Sequence, residues 1–518
     1  MNISSTGASG ATTDYSRISG LASGMDIDAI VNGLMVAESA PLNKLEQQKQ
    51  ILEWQQEDYR SLNTALYSLK DAAAGLRLES TFLARTASVA NTSVLTATAG
   101  NNAGEGSYSI TVSQLAAGVA KASTAQLAEE KDSDGSTLTL FEQFSEFGTR
   151  GYTSADTITV NINGTDLEFN LGTDNIGTVV SKINAADLGV RASYDRTYNR
   201  FFLSTDSTGS AAAINISADS AHFLGSGTDS SILQLNINVG ASYNGQNALF
   251  SVGDAVGMES ASNNVSINGL TLALASTGTT TVTVAQDTDT VVNSIKAFVE
   301  AYNDTLDKLY DKLSEKRDRA YAPLTDAQKE EMSDEEIEKW EEKARSGLLR
   351  SDPTLQKIAT DLRSTLTRMV SGLEGSFDSL SEIGITTGSY SENGKLHLDE
   401  DKLKQALSTD ADGIKELFTN SSDVTAEKGI GNTLYSALTD SIRYISDKAG
   451  SSSSLTAVDN SYIGKRLIEL KDRIDDWEDR LDKIKERYYQ KFTAMEEALN
   501  TMNAQSAWIN AQFFSTSG

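Results

Sequence analysis

The sequence predicts a multidomain α+β protein: long α-helical coiled-coil terminal segments, a mixed α/β leg domain and nested β-rich head domains. Three observations carry this expectation. Apolar rows at three-four spacing occupy both ends, and a Thr-, Ser-, Asn- and Gly-rich middle alternates with β-branched residues. The length of 518 residues also exceeds what one hydrophobic core serves.

Composition narrows the function classes. The formal charge of -28 disfavours nucleic acid and anionic membrane surfaces as partners, because either would meet net repulsion. No Cys is present, which excludes disulfides, thiolate metal sites and cysteine nucleophiles. The start, MNISSTGASGATTDYSRISG, has no basic region followed by an apolar one, and no window approaches the ~20 apolar residues that span a bilayer. Export without a cleaved signal peptide and no membrane insertion are the resulting expectations.

In chain order, residues 1–20 are too polar to offset their ordering entropy and are expected to be disordered in the free monomer, with order starting near Ser23-Gly24-Met25-Asp26. Asp26 suits a helix N-cap before Ile27, Ile30, Val31 and Leu34, and Pro41 interrupts that segment. A second helix follows, with Leu45, Leu52, Tyr59, Leu66 and Ala73 in one row and Leu62, Leu69 and Leu76 in the complementary one. The C-terminal end mirrors it through Leu467, Leu470, Ile474, Trp477, Leu481, Ile484 and Tyr488. From Tyr488 to Phe492 the step is four where three is due, a stutter before Met495, Leu499, Met502, Ile509 and Phe513 that points the last turns at a different neighbour. Both ends read as rods that pair with each other. Their seam residues are Leu45, Leu52, Tyr59, Leu62, Leu66, Leu69, Leu467, Leu470, Ile474, Trp477, Leu481, Ile484, Tyr488, Phe492 and Met495, and the C-terminal ones are expected to be covered only on assembly.

Between the rods, alternation at Tyr108, Ile110 and Val112 and many turn signals predict short strands. Ile162-Asn163-Gly164 and Ile267-Asn268-Gly269 repeat a tight-hairpin signature, and each precedes a helix start, at Thr178-Val179-Val180 and Thr290-Val291-Val292. The charged stretch 317–350 holds two capping boxes, Thr325 with Gln328 and Ser333 with Glu336, and reads as a solvated helical excursion. An Asn393-Gly394 hairpin and flanking helices follow, and glycine- and serine-rich 419–461 reads as a hinge. The resulting division is 1–41 disordered start and first helix, 42–86 N-terminal rod, 87–117 and 237–286 a plate domain in two parts, 118–236 an inserted outer head, 287–440 the leg, and 441–518 the C-terminal rod.

Catalytic signals are absent. His222 and His397 are the only histidines, with no paired-ligand spacing, and no phosphate-cradling glycine loop occurs. Glu130, Asp132, Asp134 and Gly135 echo half a calcium loop, but Phe141 stands at its twelfth position, so an acidic turn is the expectation. Neither cofactor nor metal nor enzymatic activity is expected.

The stretch Gly20-Leu21-Ala22-Ser23-Gly24-Met25-Asp26, continuing to Ile30-Val31, Leu34-Met35-Val36-Ala37-Glu38 and Pro41-Leu42, resembles the opening of the flagellar hook-associated protein 2 family. The resemblance continues through Gly106-Ser107-Tyr108-Ser109-Ile110-Thr111-Val112, Phe298-Val299-Glu300-Ala301-Tyr302-Asn303 and Phe492-Thr493-Ala494-Met495-Glu496, nearly the whole chain in order. It implies a filament cap at the distal tip of the bacterial flagellum, extracellular and exported uncleaved through the flagellar channel. A homo-oligomeric ring, flagellin, hook-filament junction proteins and a flagellar export chaperone are the partners it implies, with flagellin folding and inserting beneath the β domains. The alternatives are another axial protein, flagellin or junction protein, and an extracellular adhesin or glycan-acting protein.

Overall fold

The computed structural model describes residues 23–133, 135–226, 230–451 and 459–514, the last four as helix backbone. The expected disorder of 1–20, the opening Gly20-Leu21-Ala22, Asp134, the Ser452–Ser454 part of the expected hinge and the Phe513 side chain lie outside the described residues. The chain divides into two compact units, 1–82 with 292–518, and 83–291. In sequence, the second is an insertion into the first.

The first unit is built on helices. In α1, Ile27–Glu38, Asp26 accepts the Ala29 amide as N-cap. Pro41 sits in the first turn of α2, Ala40–Gly75, where its missing N–H costs nothing, so proline starts this helix rather than merely ending the previous one. The apolar row of α2 is used by two different partners. Near its start Leu45 forms a buried cluster with Leu470 and Ile474 of the terminal helix, Tyr462–Phe514, joined by Leu42, Leu52 and Trp477. Further along, α2 packs on the helix Ile430–Ala449, whose Leu434, Leu438, Ile442 and Ile445 are buried. That helix overturns the reading of 419–461 as a hinge. Its glycines mark close approach: a Cβ on Gly431 would stand 2.8 Å from the Leu76 carbonyl and 2.9 Å from that of Phe418. Phe82 and Phe418 stack there at 5.3 Å.

The 317–350 excursion forms the two expected helix starts, with Thr325 and Gln328, and Ser333 and Glu336, making reciprocal capping boxes. It is docked rather than merely solvated. Gln47 donates to the Pro323 carbonyl at 2.8 Å and Gln55 to that of Leu348 at 3.2 Å. Arg345 pairs with Glu57 at 2.9 Å and with buried Asp58 at 2.7 Å, and Lys312 reaches Asp58 at 3.1 Å. Buried on α2, Asp58 needs these cations to offset its desolvation. The expected Asn393-Gly394 hairpin exists as strands Ile385–Thr387 and Leu396–Leu398, and left-handed Asn393 ends a short 3-10 turn within its loop.

The second unit holds two apolar clusters. One draws on residues from Val94 to Ala116 and from Ala248 to Val284. Its five-stranded antiparallel sheet runs in the order 85–89, 278–286, 106–114, 248–252, 255–260, beside a three-stranded sheet of 264–267, 270–274 and 95–99. The other cluster runs from Leu127 to Ile237, between strands 242–244, 213–219, 157–162 and 165–170 and strands 120–122, 200–205 and 190–195. Both Ile-Asn-Gly repeats form the two-residue turns their sequence demands. Ile162 pairs with Thr165 and Ile267 with Leu270. Asn163 and Asn268 take φ of 48° and 49°, and Gly164 and Gly269 take 88° and 77°. After the first turn the helix Ile176–Ala185 buries Val179 and Ile183, while Val180 is half-buried. After the second, the helix Thr288–Ser314 buries Val291, Val292 and Ile295.

In the acidic turn, Asp132 accepts the Ser136 amide at 2.9 Å and Glu130 pairs with Arg196 at 2.7 Å, so both carboxylates serve the loop itself. His397 bonds Glu392 at 2.5 Å, and that bond holds the Glu392 carboxyl down at about 2. His222 lies on a loop with a left-handed φ of 52°.

Candidate assembly surface

Every seam residue read from the sequence lies on α2 or the terminal helix, but they do not form one continuous zipper. Leu45 and half-buried Leu52 meet Leu470, Ile474 and Trp477. Tyr59, Leu62, Leu66 and Leu69 are buried in the part of α2 that packs on Ile430–Ala449. That partner was missed because its own three-four row sits behind two glycines. Leu481 and Ile484 are buried, whereas Leu467, Tyr488, Phe492 and Met495 are half-buried.

The C-terminal seam is therefore covered within a single chain. Leu470 is 1 % exposed, Ile474 9 %, and Leu481 and Ile484 8 % each. This overturns the expectation that these side chains wait for assembly, because α1 and α2 together supply enough apolar surface for one side of the terminal helix.

Past Tyr488 that neighbour is α1. Tyr488 donates to Glu38 at 3.0 Å, Tyr489 to Asp28 at 2.8 Å, and Ser23 gives both its hydroxyl and its amide to Glu496. At 1 % exposure Glu496 is a buried carboxylate whose partner lies at the opposite end of the sequence. The change of neighbour falls where the stutter breaks the heptad. Ile27 and Val31 are the α1 side chains buried here.

A polar network ties α2 to the helices beside it. Tyr59 donates to Asp352 at 2.6 Å and Lys448 reaches the same carboxylate at 3.0 Å. Burial pulls the Asp352 carboxyl up, but the bonds from Tyr59 and Lys448 outweigh it and leave it below the ordinary value. Burial, reinforced by Asp352, pushes the Tyr59 hydroxyl well up, so it stays a donor at any physiological pH. Arg60 and Gln56 both reach Asp459 at 2.8 Å, fixing the entry to the terminal helix. What these groups do chemically is hold helices in register.

Several large apolar side chains remain exposed among the described residues. Met25, Ile30, Leu34 and Val36 around α1, and Met502, Trp508 and Ile509 on the terminal helix, are large hydrophobic side chains exposed to solvent. Isolated apolar residues on a surface are ordinary, whereas clusters mark contact sites.

Comparison with known proteins fits this geometry. Residues 23–118 match the model of the flagellar hook-associated protein 2 N-terminus, 245–504 that of its C-terminus, and 157–207 the flagellin hook IN motif. Flagellar hook-associated protein 2 of Halalkalibacterium halodurans is 33 % identical, covering 96 % of this chain and 100 % of that protein. The protein of the same name from Escherichia coli K12 is 28 % identical over 95 % of this chain and 97 % of its own. The crystal structure of the flagellar cap protein FliD D1-D2-D3 domains from Escherichia coli aligns with a TM-score of 0.52 at 27 % identity, over 74 % of this chain and 95 % of that one. With a family model spanning half the chain and a relative above 30 % identity across nearly all of it, the chain belongs to the flagellar hook-associated protein 2 family, the flagellar filament caps.

Proposed function

We propose that this protein sits at the distal tip of the flagellar filament as a ring of identical copies, contacts flagellin there, and promotes the folding and insertion of each exported subunit. Hook-filament junction proteins and an export chaperone are its further partners. The observation that carries the reading is the match along 96 % of the chain to a hook-associated protein 2 covered in full. The bond from Ser23 to Glu496, which ties the segment ahead of α1 to the terminal helix, supports it, since a cap needs a defined end to seat on the filament. In this reading, 42–86 and 441–518 are the rods, 287–440 the leg, 87–117 with 237–286 the plate, and 118–236 the outer head. The seam residues Leu45, Leu52, Leu470, Ile474 and Trp477 hold the rods together within each copy, and the exposed apolar side chains of α1 and the terminal helix make the contacts between molecules. The work asked of the protein is structural, with no bond made or broken.

Complementation tests it. A cap-less strain should regain filament growth with the full chain and fail with a chain lacking 464–518, because Leu45 and α1 lose their cover. Filament growth restored by the truncated chain would refute the role given to the paired ends.

A further inference from the structure

The short hairpin of the helical unit leaves one strand edge unused. Its strands Ile385–Thr387 and Leu396–Leu398 run antiparallel, with Thr386 opposite His397. Gly384 accepts the Asp399 amide at 2.9 Å and Gly388 donates to the Lys395 carbonyl at 3.0 Å. Bonding to the partner strand therefore falls on the even-numbered positions, and Ile385 and Thr387 turn their backbone groups outward. The Ile385 amide is taken by the Leu380 carbonyl at 2.9 Å. Among the described residues, nothing takes the Ile385 carbonyl or the amide and carbonyl of exposed Thr387. One donor and two acceptors in a row on a free edge are what an added strand pairs with.

That edge borders a cavity of about 350 Å³, shared with 379–381 and the end of the helix Pro353–Leu366. Leu366 and Leu380 line it with apolar surface, and Ser379, Ser381, Thr386 and Thr387 with hydroxyls. No acid lines it, in a chain of net charge -28, but Arg368 does. One Nη of Arg368 donates to Thr433 at 3.1 Å and the other to the Lys428 carbonyl, while its Nε is buried without a partner. Arg85 also has a buried, unpartnered Nε, yet Glu105 pairs with that guanidinium at 3.3 Å. Among the described residues no carboxylate pairs with Arg368, and burial alone pulls its guanidinium below the ordinary value. A second cation, Lys402, reaches the Ser381 carbonyl at 2.8 Å and likewise has no acid partner among them. The nearby acids are turned to backbone, Glu382 accepting the Asp378 amide at 2.9 Å and Asp399 the Lys402 amide at 3.0 Å. A partly buried cation without a counter-ion is stabilised by an arriving anion.

We propose that this cavity docks an extended acidic segment of a partner polypeptide, which adds a strand to the outer edge of Ile385–Thr387 and sets a carboxylate against Arg368. The free edge calls for a polypeptide rather than a small anion, and Arg368 with Lys402 calls for acid rather than base. In an added strand every second side chain points to the same face, about 7 Å apart, so acids at alternate positions reach the cavity together. The inference goes beyond the assembly reading above and stands independently of it.

Fluorescence anisotropy on the full chain tests it with labelled seven-residue peptides in which Thr alternates with Glu, Gln or Lys. The Glu peptide should bind at micromolar concentration, and the other two at least about tenfold more weakly, the factor expected for one charge-assisted hydrogen bond. Attraction by net charge alone gives the opposite order, because the chain is acidic. Arg368→Gln should weaken the Glu peptide by about tenfold. Thr387→Pro, which removes the outward amide and spares the bonds to Leu396–Leu398, should weaken it as well. Methylating the central amides of the Glu peptide should abolish binding, and the unmethylated peptide should slow hydrogen exchange at the Thr387 amide. The proposal is overturned if no peptide binds at millimolar concentration, if the Gln peptide binds as tightly as the Glu peptide, or if Thr387→Pro changes nothing. Undiminished binding of the methylated peptide overturns it too, since the cavity would then be a site for a free anion. The peptide comparisons use the unaltered protein, so they decide the matter even where Arg368→Gln, deprived of its hold on Lys428, fails to fold.

Discussion

Replacing Leu470 or Ile474 with Ala probes the seam directly. Both belong to the cluster with Leu45, Leu470 being 1 % and Ile474 9 % exposed. Truncating a buried Leu or Ile to Ala costs about 2–5 kcal/mol, depending on how far the site collapses. Ile474 also borders a polar cleft of about 250 Å³ lined by Glu46, Asp326 and Glu478, which lets water and neighbours fill the space, so about 2 kcal/mol is the expected loss. Leu470 has no such relief, and about 3 kcal/mol is expected. At ~2–4 °C per kcal/mol, the helical transition should fall by roughly 4–8 °C for Ile474→Ala and 6–12 °C for Leu470→Ala. Scanning calorimetry resolves this if the two units melt separately, and only the helical transition should move. The pair Leu45→Ala with Ile474→Ala should lose less than the sum of the single changes, since both open the same cluster. An unchanged melting temperature together with a fall in oligomer mass would refute this reasoning and return the seam to the space between chains.

Other outcomes follow from the same geometry. Burial, with Asp326 and Glu478 nearby, raises the Glu46 carboxyl. A raised carboxyl binds its proton more tightly folded than unfolded, so stability grows as pH falls through the raised value, and at neutral pH the charge opposes folding. Glu46→Gln should therefore raise the helical melting temperature at pH 7, by less than about 1 kcal/mol for a half-exposed group, and lose that advantage below about pH 4; a lower melting temperature at pH 7 would contradict the sign. The twin turns should differ when their glycines become Ala. Both φ values are left-handed, worth about 1–2 kcal/mol each, but only at Gly269 would the new Cβ lie 2.7 Å from the Ala103 nitrogen and 2.8 Å from its Cα, whereas Gly164 has open space. Gly269→Ala should thus destabilise the β-rich unit by roughly 1–3 kcal/mol more than Gly164→Ala in urea melts, and equal losses would show the turn alone matters. Finally, a fragment of 83–291 should unfold cooperatively by itself, because both of its apolar clusters are drawn from within it; a broad, non-cooperative melt would count against the insertion.

Local chemistry made much of this legible. Asp26, the two capping boxes and the two Asn-Gly turns are short-range instructions, and each folds as its sequence dictates whatever surrounds it. Heptad rows were legible as rows but not as pairings. The three-four period of α2 says that one side is covered and is silent on whether the partner begins at Ile430 or at Tyr462. Gly429 and Gly431 were misread for a related reason. Glycine serves both flexible chain and close packing, and only the Leu76 and Phe418 carbonyls beside Gly431 decide between them.

The assembly surface shows the same limit from the other side. A sequence row that is covered within the chain and one left for a partner have identical periodicity, so reading the C-terminal heptads as an intermolecular seam followed from pattern alone. Charge distinguishes them. From Leu467 to Phe492 the apolar positions are separated by acids and bases that solvate the far side of the helix, as expected where one side is buried in the same molecule. Past Glu497 charge stops altogether, although Met502, Trp508 and Ile509 stay exposed. The exposed apolar side of the terminal helix is thus marked in the sequence by missing charge rather than by its heptad rows.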